Sequence, residues 1–216
     1  MDGGLFTQIA DYFAKDAGDY FYSVGEHFRI SVIAISISSI LGVSFGYLCT
    51  KFSKSEKWIV SLFQILRIIP SLAILILLIP VMGTGVRPAM TALVLLAIPP
   101  ILMNTITGLQ EVPAFMLETA YGIGMTERQV LWRVKFPLAS PLILTGIKTA
   151  VIEIVASATL AAKIGAGGLG SLIFTGLGLN RTDLLLIGGI SVAILSIVSG
   201  LLIDLADRCL FKYKTN

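Results

Sequence analysis

Charge is scarce in this sequence, and so are the residues that build enzyme centres. Of 216 residues only 13% are charged, against about a quarter in an ordinary soluble domain, while 56% are apolar. So little charge cannot cover a water-exposed surface, and the chain reads as an all-α integral membrane protein. The net charge of +3 is small and its basic residues gather at the ends of apolar segments, which fits membrane topology and excludes a nucleic-acid surface. There is a single histidine, His27, and it belongs to no His-Glu-x-x-His pattern; Gly-x-Ser-x-Gly is also missing, so a non-catalytic role is expected. The two cysteines, Cys49 and Cys209, have no second cysteine or histidine at metal-ligand spacing and read as free thiols. No metal and no cofactor are expected. No signal peptide is expected, because Asp2, Asp11, Asp16 and Asp19 stand where a basic region should be.

What the chain has instead is long apolar runs. A helix needs about 20 residues to cross ~30 Å of hydrocarbon, and five segments qualify, approximately 28–49, 58–81, 88–109, 142–163 and 184–205. Lys51, Lys54, Lys57, Arg128, Arg133, Lys135, Arg208, Lys212 and Lys214 fall on one side of these spans. Lys15, Arg87, Lys163 and Arg181, with Arg29 at the edge of the first span, fall on the other. Nine against four or five places the N-terminus outside and the C-terminus inside. Residues 1–27 are then an extracytoplasmic segment, 28–209 a transmembrane domain and 210–216 a cytosolic tail. Leu5, Ile9, Tyr12 and Phe13 share a helical spacing, so the first segment is expected to lie amphipathically on the outer face.

The longest polar interruption is 111–141, which this topology puts in the cytosol. Val112 precedes a proline and Pro113 suits a first helical position, so a short helix is expected to about Tyr121, broken by Gly122 and Gly124. Thr126 and Gln129 have the form of a capping box opening a second short helix that Pro137 should end. The expected product is a helix-turn-helix elbow with Phe115, Met116, Val130, Leu131 and Trp132 on its apolar side.

Several spans carry unusual residues. Pro70 and Pro80 in the second and Pro99-Pro100 in the third remove backbone donors, predicting kinks whose freed carbonyls are met by neighbouring helices, by Asn104, Thr105 and Thr107, or by water in a cavity. Small residues fill the fourth span from Gly146 to Ala162, as close helix approach requires. Arg67 and Lys148 lie near enough to the inner surface to snorkel. Glu153 is deeper, about 18 Å along the helix from Pro141, so it is expected either to pair with Arg67 or to face a water-filled path. Between the fourth and fifth spans, Gly165, Gly167, Gly168 and Gly170 lack the Lys-Ser/Thr of a phosphate loop, so they suit tight turns in a re-entrant or gate-lining segment instead.

In the central loop, Glu118-Thr119-Ala120, three residues, Gly124, nine residues, then Val134-Lys135-Phe136-Pro137 resembles the Glu-Ala-Ala coupling loop of ABC-importer permeases, with Thr119, Val134 and Phe136 as modest departures. From about Glu26 to Arg208 the chain is similar to the membrane subunits of osmoprotectant importers. Arg67-Ile68-Ile69-Pro70-Ser71-Leu72-Ala73, Pro100 to Thr105, and Ile164 to Gly170 with Ile173 to Leu177 carry the likeness. The resemblance implies a type I permease fold in a bacterial inner membrane and a cargo such as glycine betaine, carnitine or choline. It also implies a second permease subunit, identical or paralogous, two cytosolic ATP-binding subunits and an external solute-binding protein, which is expected as a separate chain. Methionine, phosphonate or a betaine-like thiol is the alternative cargo. An ATP-independent secondary transporter fits less well, because five spans divide badly into inverted halves and no internal repeat is visible.

Overall fold

The computed structural model describes residues 4–210, and its description omits the side chains of Ser53, Lys54, Ser55 and Leu210. Lys212, Lys214 and the tail they belong to lie outside the described residues. Among the described residues every regular element is helical: α1 (Leu5–Lys51), α2 (Ser53–Ile68), α3 (Ser71–Met82), α4 (Val86–Gln110), α5 (Ala114–Gly122), α6 (Glu127–Val130), α7 (Phe136–Ala161), α8 (Leu169–Leu179) and α9 (Thr182–Leu210). A π turn, Leu131–Lys135, joins α6 to α7, and a 3-10 turn, Ala162–Ile164, follows α7. Four continuous helical stretches are long and apolar enough to cross a membrane, and α2 with α3 makes a fifth candidate when the bent pair is counted as one span.

The centre of the bundle is α4, with α1 on one side and α7 on the other. Lipid removes the usual drive to bury apolar surface, so close packing has to come from shape. On α1 that shape is the stripe Ala34, Ser38, Gly42 and Gly46, all buried. A Cβ at Gly42 would stand 2.8 Å from the Cβ of Ile101, and one at Gly46 would stand 2.6 Å from the Cβ of Thr105. On α7 the counterpart is Gly146, whose added Cβ would lie 2.8 Å from the Pro100 carbonyl oxygen. Leu93, Ala97, Ile101 and Leu102 are consequently fully enclosed. The outward faces of α2, α3 and α9 keep Trp58, Ile68, Leu77, Val81, Ile197 and Leu201 exposed, as surfaces for lipid or another subunit require.

Pro70 departs from its sequence-based expectation. Pro70 does more than kink the second span: it sits as the cap of α3 with ψ 136°, and α2 and α3 meet at a 100° bend. Pro80 lies within α3, and Pro99 and Pro100 lie within an unbroken α4. Both prolines of α4 are buried in a helix that packs on α1 and α7, so packing holds the helix across the missing donors. Nor do the neighbouring side chains serve the freed carbonyls, which belong to Leu95 and Leu96 by the i−4 rule. Asn104 donates instead to Pro100 O at 2.8 Å and Thr105 to Ile101 O at 2.7 Å.

Pro137, expected to end the elbow's second helix, stands at the start of α7, and helix runs from Glu127 through the fourth crossing to Ile164. The π turn explains how. It widens the backbone one turn before the ring, with Phe136 N–H reaching back to Leu131 O, and so accommodates a proline that a regular α-helix would reject. Ser140 Oγ then donates to Pro137 O at 2.6 Å, serving the carbonyl that Pro141 leaves without its helical donor.

The first segment is helical as its spacing predicts, but it continues into the first crossing with only a bend at Asp16. Tyr12 is buried against Leu184 and Ile187 of α9, and Tyr20 Oη pairs with Ser191 Oγ at 2.8 Å.

Candidate functional site

The elbow forms as its turn chemistry requires. Pro113 precedes α5, and Gly124 takes a φ of +83°, open to glycine at no steric cost. Its N–H and that of Met125 return to the carbonyls of Tyr121 and Ala120 at 2.9 and 3.1 Å, turning the chain back on itself. Both halves of the capping box are present. Gln129 N–H donates to Thr126 Oγ1 at 3.4 Å and Thr126 N–H to Gln129 Oε1 at 2.9 Å. Ala120 and Val130 are buried and pin the two arms, whereas Val134 is half-buried and Pro137 exposed.

Glu118 and Thr119 remain on the exposed side of α5, with Thr119 Oγ1 bound to Phe115 O at 2.7 Å. Phe115, Tyr121, Ile123 and Trp132 stay exposed although they are large and apolar. Trp132 stacks on Phe136 with ring centroids 4.9 Å apart. Beside them runs a groove of about 580 Å³ lined by Tyr47, Thr50 and Lys51 of α1, Leu109 of α4, and Tyr121, Glu127, Arg128, Leu131, Trp132 and Lys135 of the elbow. Exposed aromatics next to a groove rimmed by three cations and one carboxylate make a surface fitted for a protein partner.

The in-span residues do not converge on one point. Pro70 and Ser71 form the α2–α3 bend, with the exposed Arg67 one turn before it. Pro100 and Asn104 meet α7 at Gly146, while Thr105 turns the other way, fully buried against Gly46 of α1. Glu153 on α7 is half-buried and makes no hydrogen bond or ion pair with another described residue. Arg67 supplies the opposite charge that acts on it but closes no salt bridge. Lys148, expected to snorkel, pairs with Asp204 of α9, its Nζ 2.6 and 2.7 Å from the two carboxylate oxygens.

The glycine segment links three parts of the bundle. Gly165, Gly167 and Gly168 all have positive φ. Gly85 N–H donates to Ile164 O at 2.7 Å, tying the segment to the loop before α4. Gly168 N–H donates to Glu26 Oε2 at 2.7 Å, tying it to α1. Next to Glu26, the buried His27 shares a hydrogen bond of 3.1 Å between Nε2 and the Val155 carbonyl of α7. Sequence reasoning passed over Glu26 and Asp204. The nearest signal for the first was that the chain's sole histidine adjoins a glutamate at the edge of an apolar run. For Asp204 it was an acid left inside the last span.

Residues 30–212 match the protein family described as "Binding-protein-dependent transport system inner membrane component". Among characterised relatives, the choline transport system permease protein OpuBB of Bacillus subtilis is 39% identical over 200 residues, covering 93% of this chain and 92% of the relative. The glycine betaine/carnitine/choline transport system permease protein OpuCB of the same organism is 38% identical over 202 residues, 94% and 93% of the two chains. Among solved structures, an inward-facing methionine ABC transporter, MetNI, superposes with a TM-score of 0.79 at 22% identity, covering 88% of this chain and 95% of that one.

Proposed function

The chain belongs to the family of binding-protein-dependent transport system inner membrane components, and we propose that it carries a quaternary-amine osmoprotectant: glycine betaine, carnitine or choline. It is a bacterial inner-membrane permease subunit of an ABC importer with the type I permease fold. The cargo is supported by the relatives, which transport choline in one case and glycine betaine, carnitine and choline in the other. The chain itself performs no catalysis in this reading, and a partner subunit hydrolyses ATP.

The single observation that carries the mechanism is the elbow, an ordered turn with exposed aromatics, Glu118 and a groove on its surface. Two cytosolic ATP-binding subunits dock there, one on each of two permeases, and their closure pushes on Glu118 to Pro137. Because helix continues without interruption from Glu127 through the fourth crossing, a push on the elbow is delivered straight into α7. From α7 it passes to α4 through the Gly146–Asn104 contact. The solute path runs between the two permeases, with Arg67, Pro70, Ser71, Asn104, Glu153 and the glycine segment contributing to its wall or gates, while Pro100 and Thr105, expected there as well, are packed inside the bundle against α7 and α1 and hold the helices behind that wall. The N-terminal segment and glycine segment then lie outside, where a separate solute-binding protein delivers cargo, and the elbow lies in the cytosol. In this reading specificity resides mainly in that binding protein.

Co-purification of the tagged chain with its membrane partners tests this, followed by ATPase and betaine-uptake assays of wild type and Glu118→Arg. Recovery of an ATPase with wild type, lost or uncoupled in the variant, is expected. Uptake of betaine into vesicles without ATP, by a chain recovered without an ATPase, would replace this reading with a secondary transporter.

A further inference from the structure

The α8 helix has an N-terminus that its own sequence leaves bare. Its cap residue is Gly168, which has no side chain to accept from the first turn, and no local side-chain cap is present. A helix start exposes unpaired N–H groups and the positive end of the helix dipole, so an anion is favoured there. The anion present is Glu26, 142 residues earlier in the chain, whose carboxylate accepts the Gly168 N–H at 2.7 Å.

The surroundings are shaped to that carboxylate. A Cβ on Gly167 would fall on the Glu26 carboxyl group, and Gly167 and Gly168 both hold φ values, +78° and +74°, that L side chains rarely adopt. The His27 ring and backbone press on Gly168, within 3.1–3.2 Å of where a Cβ would be. His27 in turn is fixed to α7 by its bond to the Val155 carbonyl. Glu26 forms no salt bridge among the described residues, so Gly168 is the group that holds its charge in place.

We propose that Glu26 is a positioning residue for transport: by capping α8 from α1 it latches the glycine segment across the outer end of the bundle, and the latch opens when ATP drives the outward-facing state. This rests on the importer reading above. One charge-assisted hydrogen bond onto a helix end suits a latch, because it is strong enough to set a resting position and weak enough to break in each cycle. The glycines are required on both counts, since they admit the carboxylate and let the segment turn beneath it.

The test uses the full assembly with its ATPase and binding protein in proteoliposomes. Spin labels go at Tyr22→Cys on α1 and Leu179→Cys on α8, both exposed positions, with Cys49→Ala and Cys209→Ser removing the native thiols. In the otherwise wild-type assembly a single resting distance is expected, with a longer one appearing when ATP is trapped. Glu26→Ala should show the longer distance at rest, basal ATPase raised by about tenfold or more, the scale of one such bond, and less solute moved per ATP. Glu26→Gln keeps an acceptor oxygen without the charge and should fall between the two; it decides the matter if the alanine variant fails to assemble. Resting distances and coupling ratios in these variants equal to wild type would overturn the latch and leave the importer reading intact. So would a wild-type label pair that stays still while ATP-driven transport proceeds. Absence of ATP-dependent transport from the wild-type assembly would overturn both.

Discussion

Gly146 of α7 lies so close to Asn104 of α4 that a Cβ added to the glycine would come within 2.8 Å of the asparagine Cβ. Because the Pro100 carbonyl oxygen is equally near, neither partner can give way by a simple rotation. Gly146→Ala should therefore destabilise the crossing by about 1–3 kcal/mol, the usual cost of overpacking. A lowered unfolding temperature in detergent checks it, and Gly189→Ala, at a glycine with open space around it, serves as the control.

The capping box predicts a local effect. Thr126→Ala removes the acceptor for the Gln129 N–H, at a cost of about 1 kcal/mol to the start of α6. Amide exchange across Glu127 to Val130 should quicken while the spans stay protected. Coupling of ATP hydrolysis to uptake should fall, because the elbow loosens where the push enters.

Pro137 and the π turn before it make a separable pair. Pro137→Ala restores an N–H and removes the ring that the widened turn accommodates, so Leu131–Lys135 should tighten to a regular α-helix. Regularising that turn rotates the elbow relative to α7. Folding and membrane insertion should survive, while uptake per ATP drops. Unchanged coupling would show that the π turn has no mechanical role.

Lys148 and Asp204 are both between one third and one half exposed, so their pairing is not sealed in the core and the coupling should be about 0.2–1 kcal/mol, the scale of exposed ion pairs. Lys148→Asp and Asp204→Lys should each lower yield and thermal stability, and the double exchange should recover most of the loss. A double variant as poor as the sum of the singles would assign these residues separate roles.

Much of the elbow is legible in the sequence alone. The turn at Gly124, the Thr126–Gln129 cap and the helix after Pro113 are local, and each is dictated by a few adjacent residues. Whether Arg67 and Glu153 pair, which acid Lys148 meets and whether Pro137 stops a helix are harder to read, because each depends on what other elements or the preceding turn bring near. Glu26 illustrates the limit best. In sequence it is one acid before a span, and only folding places it over a helix start 142 residues away.

By itself the sequence determined that the chain is helical, crosses a membrane about five times and presents an elbow suited to a partner, because apolar run length and turn chemistry act within short stretches. The tertiary structure decided which prolines break a helix, which charges meet and why Gly167 and Gly168 must be glycine. Those outcomes turn on contacts between residues far apart in the chain, where the fit of one surface against another outweighs local preference.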